Sequence, residues 1–398
     1  MATIDASPVP PAVRPLRPKW SGTLTDRDRF CRQLRRQAVD RCFNMEFGYW
    51  DDNFKLWPMF RDNGVANNAD ADLFLNFDRT AMVSSPWMHP VFPDEEISRN
   101  ATTRIVRNSD GLLAEVPLDG HDTIPHFLEA TVRTPEDWAR VKAERFNRDH
   151  PDRKPDVAAI LRDHPADRDY PLGIWAGSMI GKVRDMLTVE GLAYAVYDHP
   201  EMVEDMVETS CLLVEDFLDA VLPHVRFDYA GGWEDICYKS GPLVSVGFFR
   251  DVVVPRYRRI GAKLRAHGVD LWWIDCDGDV RPLIPHFLAG GVNTMFPWEV
   301  NGSGHPGEAL DRWGPELRIM GGVDKMVLGR NRAEIRRWLE SLAPHVARGG
   351  FIPFCDHRCP PNVDPGDYLY YLDLKEKLFG LRGWARIAPK LVPETSAP

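Results

Sequence analysis

From Tyr170 onwards, short apolar runs alternate with longer stretches in which apolar positions recur every three or four residues. The short runs, bounded by Gly, Asp and Pro, predict buried strands at 172–176, 227–231, 271–275, 292–297, 317–321 and 351–355. The longer stretches predict helices at 187–197, 200–222, 246–267, 280–289 and 332–342, with a last one from Asp367; Asn331 and Glu334 form a capping box. Regular alternation of strand and helix means a parallel sheet, and the number of units fits a closed (β/α)8 barrel. Upstream, Thr25 caps a first helix, and the aromatic run 41–50 reads as the first strand, with Glu46 and Tyr49 near its end. Residues 51–100 carry a short helical pattern near 54–62 and a Pro-rich loop at 84–94. Between 102 and 133 the period changes to two, interrupted by Asp110-Gly111 and Asp119-Gly120, which predicts an antiparallel meander inserted into the barrel. Thr134-Pro-Glu-Asp137 then opens a helix. Residues 21–398 therefore form one barrel domain, preceded by an extended, poorly ordered Pro-rich arm at 1–20.

Composition narrows the function classes. A net charge of -10 gives no electrostatic reason to bind nucleic acid. No apolar run is long enough to span a membrane, and the start of the chain lacks the basic and apolar regions of a signal peptide. Seven scattered cysteines point to a reducing cytoplasm rather than a disulfide framework. No dinucleotide fingerprint or phosphate-binding loop is present. Thirteen tryptophans are enough for some, such as Trp175 and Trp233 near predicted strand ends, to wall a pocket for an organic substrate.

The candidate chemistry lies at the strand ends, which in a barrel share one mouth. Asp275 and Asp277 lie two apart, so both project to one side of an extended strand end, and His357 from another strand completes a set of two carboxylates and an imidazole suited to a divalent cation. A thiol set of Cys276 with Cys355 or Cys359 is the competing ligand group, and helix capping by the aspartates is the structural alternative. Glu234 and Asp235 are either an acid pair or ion-pair partners of Lys239 or a neighbouring arginine. Asp324 and Lys325, after two glycines, carry the same ambiguity. Arg184 either clamps a substrate carboxylate or forms a surface ion pair.

Several motifs in order carry a family resemblance: Lys239-Ser-Gly-Pro-Leu-Val-Ser245, Phe248-Phe-Arg250, Pro255-Arg-Tyr257, Asp275-Cys-Asp-Gly278 with Arg281-Pro-Leu-Ile-Pro285, Gly321-Gly-Val-Asp324, and His357 with Pro360-Pro-Asn-Val363. Over 172–378 the chain resembles the uroporphyrinogen decarboxylase superfamily, which holds tetrapyrrole decarboxylases and methyltransferases acting on corrinoid proteins, thiols and folates. The resemblance implies a (β/α)8 barrel with its site in the C-terminal mouth and suggests a homodimer. The decarboxylases' arginine-rich first-strand motif is replaced here by Asn44-Met-Glu-Phe-Gly-Tyr-Trp50, where Glu46 would repel a polyacid. In the zinc methyltransferases a His-x-Cys-Gly turn falls on Asp275-Cys-Asp-Gly278 and a late cysteine falls near His357, so the ligand positions remain while sulfur gives way to oxygen. The expectation is a methyltransferase or demethylase acting on a small methylated compound. A divalent metal, zinc first, sits at Asp275, Asp277 and His357; Glu234, Asp235, Lys239 and Asp324 are the catalytic candidates, with Glu234 as proton donor. Glu46, Tyr49, Trp175, Arg184 and Trp233 line the substrate site, and a corrinoid protein or folate accepts the methyl group. The alternatives are a decarboxylase of an aromatic or pyrrolic acid, with Arg184 or Lys239 holding the carboxylate, and a non-catalytic binding barrel.

Overall fold

A computed structural model describes residues 13–85, 87–118 and 125–380. Seven parallel strands stand side by side in chain order: β1 (Ala81–Val83), β2 (Leu172–Trp175), β3 (Tyr229–Trp233), β4 (Trp272–Asp275), β5 (Thr294–Trp298), β6 (Arg318–Val323) and β7 (Phe351–Cys355). The register sets Asp275 level with Trp233 on one side and Phe296 on the other, so the strand ends form a common rim.

The predicted first strand at 41–50 does not form a ladder. Tyr49 makes one parallel bridge to Cys359 and Arg41 one antiparallel bridge to Gly380. Gly48, at φ 125°, breaks the extension. The segment still fills the gap between β7 and β1. The Asp78 N–H donates to the Asn44 carbonyl on one side, and the Cys355 N–H donates to the Glu46 carboxylate on the other. Its alternate residues Phe43, Met45 and Phe47 enter the same interior as Tyr229, Leu271, Phe296, Met320 and Phe354. It thus takes the eighth stave's place through its side chains.

The opposite end is closed by α1 (Asp26–Leu34), whose N-cap Thr25 accepts from the Asp28 N–H. Its Phe30, Cys31 and Leu34 join the interior cluster. The Gln33 and Leu34 carbonyls accept from Gly350 and Arg318, which lie where β7 and β6 begin.

The outer layer is helical. In α2 (Gly181–Asp198), Thr188 at φ 65° kinks the helix, so the sequence pattern resolves only its second half. In α3 (Pro200–Val221), Met202, Val203, Met206, Val207, Val214, Leu218 and Val221 recur on one face and are buried. Each such side chain contributes about 1.5–3 kcal/mol on burial. The predicted helix 246–267 contains a widened π turn at Phe249–Val253 before α4 (Val254–Ala266), where Pro255 has no N–H to give the preceding turn. The outer layer ends with α5 (Arg332–Ala347) and α6 (Pro365–Phe379).

The meander has four antiparallel strands, Glu95–Arg99, Thr103–Arg107, Leu113–Pro117 and His126–Glu129. The first lies outside the 102–133 span read from the sequence, and the Asp119-Gly120 turn lies outside the described residues. Of the Pro-rich arm, residues 1–12 also lie outside them. Residues 13–20 are tied down rather than loose: the Leu16 N–H donates to the Phe74 carbonyl, and Arg17 pairs with Asp373 and Glu376. Among the described residues, no helix is long and apolar enough to cross a membrane.

Candidate functional site

The rim beyond β4 gathers the acids. Asp277 Oδ2 lies 3.3 Å from His357 Nε2. The imidazole is held edge-on to Phe47, with centroids 5.6 Å apart, and tilted against Trp50 at 5.8 Å. Asp277 Oδ1 is buried without a hydrogen-bond partner among the described residues. Burial pushes the pKa of Asp275 well above the usual carboxylate range; the charges of Asp277 and Asp235 add to this and Arg358 opposes it. Asp235, at φ 46°, turns its carboxylate to within 3.0 Å of Arg184 Nη1. Burial raises its pKa, Arg184 opposes the rise, and Asp277 adds to it.

The turn carrying Asp277 is fixed from behind. The Gly278 N–H donates to Glu299, which also pairs with Lys325 at 2.7 Å. At φ 81°, and with the Cys237 carbonyl oxygen 2.6 Å from where a Cβ would stand, only glycine fits at 278. Asp356, next to His357, is fully buried and accepts from the Val300 and Lys325 N–H groups, tying together the loops after β5, β6 and β7. Burial pushes its pKa up to about 7, against those hydrogen bonds. The sequence places Asp356 beside His357 at the last strand end without giving it a role, and nothing in it singles out Glu299.

The two aspartates and the histidine offer oxygen and nitrogen donors, and the orphaned Asp277 oxygen gives a cation a reason to bind. As the side chains stand, Asp277 and His357 meet, while the three ligand atoms do not all come within 4.8 Å of one another. The competing thiol set is not assembled: Cys276 sits against Cys237 and Cys355 against Cys359, and all seven cysteines are free and buried.

Several predicted site residues turn away from the mouth. Glu234 is fully buried, and its carboxylate accepts from the Met179, Ile180 and Gly181 N–H groups at 2.7, 2.8 and 2.6 Å. The hydroxyls of Ser178 and Tyr257 donate to it as well. Burial raises its pKa, and the hydrogen bonds from Tyr257 and the backbone N–H groups oppose the rise. It anchors the start of α2 rather than facing a substrate. Glu46 is likewise buried, bound by Tyr371, Lys375 and the Cys355 N–H, yet it still borders the cavity inside the barrel; the Tyr49 hydroxyl meets that of Tyr368 inside the aromatic core. Asp324 caps Lys325–Leu328 through the Met326 N–H. Lys239 is exposed at the tip of the ribbon joining Cys237–Tyr238 to Gly241–Pro242. Arg184 lies over the Trp233 ring and is engaged by Asp185 and Asp235.

Two cavities adjoin the rim. One, of about 400 Å³, lies inside the barrel among Phe47, Met82, Trp175, Trp273, Phe296 and Met320. The other, of about 370 Å³, lies among Trp87, Trp175, Ser178, Lys182, Asp185 and Trp233. Trp175 and Trp233 thus wall a pocket as expected from sequence; Trp273 and Phe296, 4.8 Å apart, are further walls that read from sequence only as strand residues.

With this geometry in hand, solved structures supply a fold comparison. A methyltransferase from Methanosarcina mazei superimposes with a TM-score of 0.56 at 12% identity, covering 90% of this chain and all of that one. The chain shares the fold of that structure. A B12-independent methionine synthase from Shewanella sp. W3-18-1 overlaps more loosely, with a TM-score of 0.36 at 10% identity over 77% of this chain and 78% of that one. No protein-family model and no curated protein matches the sequence.

Proposed function

We propose that this chain is a methyltransferase-type enzyme of the uroporphyrinogen decarboxylase superfamily, taking a methyl group from a small oxygen- or nitrogen-methylated compound. The observation that carries this reading is the Asp277–His357 pair, with its orphaned carboxylate oxygen, at the rim of an aromatic cavity. Asp277 and His357, with Asp275 as third ligand, would hold a divalent metal, zinc first by donor type. When bound, that ion supplies Lewis acidity toward the heteroatom the methyl group leaves. Trp175, Trp273 and Phe296 hold the apolar part of the substrate and exclude water. Asp235, whose pKa burial raises, holds the proton that the leaving heteroatom needs, the part expected of Glu234. The methyl acceptor is a corrinoid protein or a folate. A decarboxylase would need a cation for the substrate carboxylate, whereas Arg184 is engaged by two aspartates and Lys239 stands exposed at the tip of its ribbon. The test is metal content of the purified protein and of Asp277→Ala, followed by acceptor-dependent demethylation of methylated ethers and amines. About one rim-bound divalent ion, lost with turnover in the variant, supports the reading; a fully active Asp277→Ala enzyme refutes it.

A further inference from the structure

The loop after β1 meets the segment following Pro135–Arg145, and two histidines and an acid converge there. His89 Nε2 lies 3.1 Å from Asp152 Oδ2, and His150 Nδ1 lies 4.0 Å from the same oxygen. The two rings are 4.4 Å apart between centroids, and one ligand atom from each of the three residues falls within 4.8 Å of the others. We propose that His89, His150 and Asp152 form a second divalent transition-metal site, suited to zinc, that staples the 87–91 loop to residues 145–153.

The spacing fits such an ion. Zinc bonds of about 2.0–2.2 Å in tetrahedral geometry set neighbouring ligand atoms about 3.3 Å apart, so the separations of 3.1 and 4.0 Å need only sub-ångström adjustment. His150 Nδ1 accepts the Asp152 N–H at 3.2 Å, so a metal would take over a lone pair that this hydrogen bond holds at the edge of the cluster. His89 Nε2 faces a carboxylate oxygen across a gap that a proton or a metal can bridge. The side chains are 26%, 33% and 66% exposed for His89, His150 and Asp152, leaving room for water at the remaining coordination position. The nearby arginines are turned to other partners: Arg148 pairs with Asp216, and Arg145 lies over the Phe92 ring.

The two segments are already in register without an ion. The His89 N–H donates to the Arg145 carbonyl, Arg145 to the Pro90 carbonyl, and Arg153 to the Trp87 carbonyl. A metal would lock this arrangement, and with it Trp87, which walls the cavity shared with Trp175 and Trp233. The site therefore has a structural consequence for a pocket it does not touch.

The experiment titrates zinc into the chelator-stripped full-length protein by calorimetry, and repeats it with Asp277→Ala, which lacks the rim site, and with His89→Gln/His150→Gln introduced into Asp277→Ala. The proposal expects Asp277→Ala to retain one tight zinc and the double variant to lose it, with affinity at that site weakened about tenfold or more. Zinc should raise the melting temperature of Asp277→Ala and slow its proteolysis within 84–94, and do neither once His89 and His150 are also replaced. The metal-free melting temperatures of the double variant and its parent set the baselines, so that the zinc-dependent rise is read apart from the lost His89–His150 ring contact. Asp277→Ala binding no zinc, or the double variant binding as its parent does, overturns the site. Because the rim ligand is removed in the reference protein, failure here is distinct from failure of the rim site.

Discussion

Replacing Glu234 with Gln separates a structural anchor from a proton donor. The carboxylate takes three backbone N–H groups and two hydroxyls, so a glutamine must set its amide nitrogen against donors on one side. The less damaging orientation puts that nitrogen toward Tyr257 and Met179: the tyrosine hydroxyl can turn to accept, and the Met179 N–H is left without a partner. An orphaned buried donor costs about 1–3 kcal/mol, and exchanging charge-assisted for neutral hydrogen bonds at the remaining contacts costs about 1 kcal/mol each. With the Ser178, Ile180 and Gly181 contacts the sum is about 4–6 kcal/mol, a large fraction of the roughly 5–15 kcal/mol that holds a typical domain together. Urea unfolding followed by circular dichroism and tryptophan fluorescence should show a midpoint lowered by about 1.5–3 M at a slope near 2–3 kcal/mol per M. Tyr257→Phe, which removes one donor and leaves the carboxylate otherwise bound, should lose about 1–2 kcal/mol. An unchanged midpoint in Glu234→Gln together with collapsed turnover would refute this reasoning and return Glu234 to proton transfer.

Other expectations test the frame. Lys375→Met leaves Glu46 charged and without its cation in the core, and should destabilise by about 3–5 kcal/mol in the same urea assay. Burial raises the pKa of Asp40, but the hydrogen bonds from Arg29 and from the Leu24 and Thr23 N–H groups outweigh it and hold the folded-state value below the ordinary 3.8. That stabilisation is present above 3.8 and is lost as pH falls through the lower folded value, so the deficit of Asp40→Asn should be full at neutral pH and shrink below pH 3.8; a pH-independent deficit contradicts it. All seven thiols are buried, with burial pushing Cys31 and Cys211 up to about 12 and Cys42 to about 11, so a thiol reagent should label the native protein hardly at all and all seven cysteines once urea unfolds it.

Strands β2 to β7 were legible because each is an apolar run closed by Gly, Asp or Pro, a pattern a buried parallel strand needs and a surface segment does not. β1 was not, since three residues in a polar neighbourhood carry no period. The 41–50 segment misled in an instructive way: the alternation of Phe43, Met45 and Phe47 correctly reports which side chains face inward, but says nothing about whether the backbone pairs. The site divides similarly. Asp277 and His357 could be brought together from sequence because strand ends in a barrel converge. Glu234 and Glu46 look the same in sequence, as charges beside a strand end, yet the chain folds backbone N–H groups, hydroxyls or a lysine onto each. Which charge is left for a ligand depends on where distant loops return, and no local pattern records that.

Trp175 belongs to the linings of both cavities, so a single indole is the partition between two chambers. Partition and wall are different things mechanically. A wall shapes what it encloses, whereas a partition also decides whether two occupants share one space. Trimming this side chain would open a doorway between the barrel interior and the chamber beside α2, and a rotation of the ring would do the same transiently.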